Sequence, residues 1–162
     1  MGGTIEKVMV YIDGTEQSIA AAKCAICLAK ETDAQLLAVY VVNTRALVDL
    51  VHAHIFLESE RQAYLRDLEN DALRYLNHVR ELASRKGLFV ETLQRSGSVH
   101  QEIKSLVEEY AVDLLVIGEL PRLQSRRDEL YDETERAMRR VGCSVLIVKD
   151  QERVERLFET LP

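Results

Sequence analysis

The chain predicts an α/β fold, a five-stranded parallel sheet with helices on both faces. Three observations carry this. Short runs rich in β-branched residues recur and are apolar throughout instead of alternating, the pattern of strands covered on both sides. Between them lie amphipathic helical stretches long enough for the crossovers that parallel pairing requires. The chain has 162 residues, 47% hydrophobic and 30% charged, which suits one globular domain with a single substantial core.

Each element can be justified in turn. KVMVYI, residues 7 to 12, is the first strand, and Asp13-Gly14-Thr15 stops it. Thr15 or Ser18 can cap the helix that follows, since either hydroxyl accepts from a free backbone N–H. Ile19, Ala22, Cys24, Ala25, Ile26, Leu28 and Ala29 give that helix its apolar stripe, and Thr32-Asp33 breaks it. QLLAVYVV, residues 35 to 42, is a second buried strand, so the first forty residues form a βαβ unit. No glycine or proline occurs from Arg45 to Lys86. Tyr64, Leu65, Leu68, Leu73, Leu76, Val79 and Leu82 recur there at helical intervals, which predicts a long helix from about Ser59 to Arg85, with Gly87 as its C′ residue. Ala46 to Leu57 either joins this helix or forms a short one of its own. Leu88 to Leu93 reads as the third strand, Ser96 to His100 as a turn with Ser98 as cap, and Gln101 to Tyr110 as a helix. Leu114 to Ile117 and Val145 to Val148 are strands four and five. In such sheets ligands bind outside the carboxyl ends of the strands, so residues 118 to 133 are the place to look for one.

Composition narrows the function. The net charge of -6 argues against non-specific nucleic-acid binding, which needs a basic face. No apolar run reaches the roughly eighteen residues of a membrane span. The opening residues carry acids and lead directly into a strand, unlike a signal peptide. Three cysteines make no disulfide framework, so a reducing, cytoplasmic setting is expected.

Several constellations resemble chemistry and read better as packing. Cys24 and Cys27 form a CxxC, but it sits well inside a helix and no second Cys/His pair matches it. Cys143 precedes a buried strand. On a helix the side chains of His52 and His54 diverge, and His78 and His100 lack carboxylates at ligand spacing, so no metal is expected. No nucleophile elbow or Ser/His/Asp arrangement can be read out. The carboxylates of Asp128, Glu129, Asp132, Glu133 and Glu135 read as a solvated face. Catalysis is not indicated. Residues 1–150 therefore form the domain, and 151–162 form an amphipathic extension. There Val154, Leu157, Phe158 and Leu161 share one helical face, which either folds back on the domain or docks onto a partner.

With the order laid out, residues 5 to 149 resemble a universal stress protein domain. VMVYIDGTEQSIAAAKCAICLAK is similar to the family's opening strand, Asp-Gly-Ser-type turn and first helix, and QLLAVYVV to its second strand. SGSVHQEIKSLVEEYAVDLLVIG is similar to the turn, helix, Ala-x-Asp and fourth strand. VGCSVLIV resembles the closing Pro-Cys-Pro-Val-type strand, with Gly142 and Ser144 where prolines are usual. The resemblance implies a Rossmann-like sheet of the adenine nucleotide alpha hydrolase-like kind. It also implies a homodimer paired edge to edge through Val145, Leu146, Ile147 and Val148.

Nucleotide-binding members carry G-x2-G-x9-G-[ST] after the fourth strand, a cradle whose backbone N–H groups and hydroxyl hold phosphates. Gly118 matches its first glycine. Pro121 replaces the second, Tyr131 the third, and Asp132 stands where Ser or Thr belongs. Pro121 has no N–H to donate and Tyr131 brings bulk where bare backbone fits. Asp132 and Glu133 bring carboxylates toward phosphate. From Glu119 to Arg136 there are six acids and four bases. Asp13, Val41 and Gly118 match positions that contact adenosine in binding members. The expectation is a non-catalytic stress-response or regulatory homodimer of the non-ATP-binding type, without a cofactor. The alternative is an ATP or AMP sensor using the retained half-site. A weak ATPase, or an anion site at Arg122, Arg126 and Arg127, stands further off.

Overall fold

The computed structural model describes residues 3–54, 57–120 and 133–162. Pro121, Arg122, Arg126, Arg127, Asp128, Glu129, Tyr131 and Asp132 lie outside them. The strands are β1 (Lys7–Ile12), β2 (Gln35–Val42), β3 (Val90–Ser96), β4 (Leu114–Gly118) and β5 (Ser144–Val148). The described helices are α1 (Glu16–Thr32), α2 (Thr44–His52), α3 (Glu58–Arg85), α4 (Val99–Glu109), α5 (Glu133–Arg140) and α6 (Gln151–Thr160). All strand pairs are parallel, in the order β3-β2-β1-β4-β5. The order reverses between β1 and β4, which makes the carboxyl ends of those strands the switch point of the sheet.

Two buried clusters cover the two faces. Val8, Val10 and Ile12 point with Leu36, Ala38 and Tyr40 toward α1, α3 and α6. Met9, Tyr11, Leu37 and Val39 point toward α4 and α5. This alternation is the period-2 geometry of a strand with both faces buried, which is why the runs read as continuously apolar.

The local signals are mostly where the residues suggested. Thr15 is the α1 cap, its hydroxyl accepting from Ser18 N at 3.1 Å, while Ser18 Oγ donates back to Thr15 O at 2.9 Å. Asp33 ends α1 in the left-handed region at φ 58°. Asn43 caps α2 as a helix separate from α3, accepting from Ala46 N at 3.1 Å. Gly87 follows α3 at φ 71°. Two boundaries differ. β3 starts at Val90 and runs to Ser96, because β2 offers partners as far as Val42, while Phe89 stands 82% exposed before it. Helix α4 starts at Val99, inside the stretch read as a turn.

Asp113 has a role that its sequence context does not advertise. Its carboxylate accepts from the backbone N–H groups of Glu6 at 2.8 Å and Lys7 at 2.9 Å, fixing the start of β1 against β4. Those two hydrogen bonds hold its carboxyl below the usual range.

Helix α6 folds back onto α1. Val154 and Phe158 are buried in the core beneath it, whereas Leu157 remains 42% exposed. Leu161 is partly buried against the same cluster, so three of the four residues that share this apolar face are engaged within the chain. Lys86 lies 4.8 Å from the Phe158 ring centre and donates to Leu161 O at 2.9 Å, closing the carboxyl end of the helix.

Candidate functional site

The site is built where β1, β2 and β4 end. Asp13 follows β1 directly and turns the chain into α1. Its Oδ1 accepts from Thr15 N at 3.0 Å and Thr15 Oγ1 at 2.6 Å, an Asx-type turn that fixes the carboxylate's position. Gly14 takes φ 86°, and a Cβ there would meet the Tyr75 ring at 2.8 Å, so this turn needs glycine on both counts. Tyr75 in turn lies parallel to Tyr40 of β2, with ring centres 6.3 Å apart.

A cleft of about 380 Å³ opens over these strand ends, within the size range of small-molecule sites. Asp13, Val41, Tyr11 and Tyr40 line its floor, Leu47 and Leu50 of α2 one wall, and Glu133 its far side. Asp13 and Val41 thus come together as the sequence suggested. Gly118 is not among the lining residues. It serves packing, because a Cβ at this position would come within 2.6 Å of the backbone carbon and oxygen of Gln17. The closeness of β4 to the first turn of α1 therefore requires glycine there.

Among the described residues, the charged side chains that line the cleft are acids. Asp13 and Glu133 line it, and no Lys, Arg or His does so among the described residues. Burial, then the charges of Asp71 and Asp13, push the pKa of the Tyr40 phenol up.

Glu133 itself corrects the reading of the acids after residue 127 as one solvated face. It opens α5 and is half-buried, with Oε2 2.5 Å from His100 Nδ1. The same oxygen accepts from His100 N at 3.2 Å and Ser98 Oγ at 3.4 Å, and Arg136 Nη1 lies 3.5 Å from Oε1. Burial acts to raise the Glu133 pKa, but the hydrogen bonds and charge of His100, with Arg136, outweigh it and hold the carboxyl below the glutamate range. Ser98 is the α4 N-cap residue, yet its side chain makes no capping bond within its own helix. Its hydroxyl faces His100 Nδ1 at 3.0 Å, and Glu133 caps α4 from the outside. Sequence reasoning missed this pair because 33 residues separate its members. The one available signal was a histidine in the first turn of a helix that the next crossover must pass.

The other tempting residues are dispersed. His52, His54 and His78 are exposed, and among the described residues no group of three His, Cys, Asp or Glu could hold a metal. Cys24 and Cys27 pack on α1, where burial raises both thiols, and the same holds for Cys143. No helix among the described residues is long and apolar enough to cross a membrane.

Comparison with known proteins agrees with this architecture. Residues 4–149 match the universal stress protein family. The chain is 31% identical over 144 residues to the universal stress protein MJ0531 of Methanocaldococcus jannaschii, covering 89% of this chain and 82% of that protein. It is 29% identical over 149 residues to universal stress protein YxiE of Bacillus subtilis, covering 88% of this chain and 98% of that one. Among solved structures, a universal stress protein in complex with cAMP superposes with a TM-score of 0.66 at 21% identity, over 91% of this chain and 98% of that one. The family match over nearly the whole chain and the 31% identity to a member lead to one conclusion: the chain belongs to the universal stress protein family.

Proposed function

We propose that this protein is a non-catalytic stress-response regulator that works as a homodimer through protein contacts, its phosphate cradle having degenerated. The observation that carries this reading is the replacement of the cradle by Pro121, Tyr131 and Asp132 beside a cleft whose described lining carries Asp13 and Glu133 and no base. Asp13 and an ionised Glu133 face the space a nucleotide would enter. Two like unit charges about 4 Å apart repel by roughly 4 kcal/mol at an effective dielectric of about 20. Pro121 withdraws a backbone donor that could offset this. Contact between subunits is favoured by β5, an edge strand whose Val145, Leu146 and Ile147 are only half-buried within one chain. The test is titration of ATP and AMP to millimolar concentration by calorimetry. No saturable heat supports the reading, and a dissociation constant in the micromolar range overturns it.

A second reading is favoured by one feature, the preserved cleft beside Asp13 and Val41. A relative of the same fold holds cAMP. On this reading a nucleotide without a triphosphate occupies the cleft. It predicts a saturable signal with AMP or cAMP that is lost in Asp13→Ala.

A further inference from the structure

A second hollow, of about 480 Å³, lies beside the first, between the start of α2, the start of α4 and the inner side of α5. The two meet at Asn43, Ala46 and Glu133, but their linings differ in kind. The first is aromatic, aliphatic and acidic. The second is polar and brings together Arg45, Arg136 and Arg140 against the carboxylates of Asp49 and Glu133.

The carboxylate of Glu133 is already satisfied by His100 and Arg136. Among the described lining residues, that leaves Arg45 and Arg140 with one further carboxylate, Asp49. Among the described residues neither arginine makes a side-chain hydrogen bond or ion pair, whereas Arg139, next to Arg140, is bound to Glu135 at 3.0 Å. Part of the lining is built, not merely surface. Ser98 and His100 line it, are 6% and 8% exposed, and are held by hydrogen bonds to Glu133.

We infer that this hollow is an anion site for a small dianion, a phosphate ester or a dicarboxylate, held by Arg45 and Arg140. A guanidinium presents paired donors that match both ligands, and two of them from different helices clamp a group carrying two charges. None of the positions of the cradle motif after β4 is among the hollow's described lining residues. Binding would join α2 to α5, which both contribute to the lining of the neighbouring cleft.

The test uses the full chain and two probes, inorganic phosphate and succinate, with ionic strength held constant by chloride so that general screening is matched. Chemical shifts of backbone amides in α2 and the first turn of α4 move saturably. Arg45→Ala/Arg140→Ala, which changes two exposed side chains and leaves the core intact, weakens the response by about tenfold or more. Saturation with phosphate alone assigns a phosphate ester, and saturation with succinate alone or with both assigns the wider class of dianions. No saturable change with either probe, or a change that persists unaltered in the double variant, overturns the site. Neither probe is a nucleotide, so this outcome is read separately from that of the ATP titration.

Discussion

At Gly118 the end of β4 passes so close to the first turn of α1 that one methyl group has nowhere to go. Gly118→Ala should cost about 1–3 kcal/mol, the range for overpacking a tight contact, seen as a lower urea midpoint with an unchanged m-value. The glycine matches an adenosine-contacting position of binding relatives, yet its packing role alone accounts for it, so it does not testify to a nucleotide. Glu133 is the other residue on which the site turns. Its carboxyl titrates below the ordinary glutamate value of 4.5, so its contribution to stability is complete above that pH and is lost as pH falls through the depressed folded-state pKa. Glu133→Gln should therefore be less stable than the parent near neutral pH, with the difference shrinking in acid, measured by thermal unfolding from pH 7 to pH 3. The equal and opposite result, a difference that grows in acid, would contradict the ion-pair assignment. The sequence placed Glu133 among solvated acids because nothing local separates it from Glu135. Its distinction comes from His100, which only the folded chain brings near.

Among the elements, α6 and β5 divide the tasks that the sequence left joined. The apolar stripe of α6 was legible from its spacing, but the surface that would cover it was not, because periodicity gives a face and no partner. In the structure α1 covers Val154 and Phe158. Phe158→Ala should lower stability by about 3 kcal/mol, as for other buried aromatic truncations, while light scattering reports an unchanged mass. Strand β5 should behave in the opposite way. Val145→Lys puts a charge on a half-buried edge position and should release monomers at tens of micromolar protein, with the fold retained by far-ultraviolet circular dichroism. A parent protein that is already monomeric at that concentration would remove the edge-strand dimer from the account. The third strand shows why boundaries read less well than elements. Leu88 and Phe89 extend its apolar run, but the hydrogen-bonded register with β2 decides where pairing starts and carries it on to Ser96.

For the whole molecule, the alternation of buried strands and crossover helices was enough to fix the parallel sheet and its two covered faces. Physics leaves few arrangements for such a pattern, and right-handed crossovers leave fewer. The cleft was legible in part, through Asp13 at the end of β1 and Val41 near the end of β2. The presence of Glu133 in its lining and the arginine-lined hollow beside it were not, since both arise where α2, α4 and α5 converge from distant parts of the chain. The central claim is that the family's site persists here as a cleft without its phosphate cradle. Calorimetric titration of ATP into the parent protein and into Pro121→Gly/Tyr131→Gly/Asp132→Ser, side by side, tests it most directly. The account predicts silence from the parent at millimolar ATP and saturable heat from the restored variant. Saturable binding by the parent, with no gain on restoration, would contradict it.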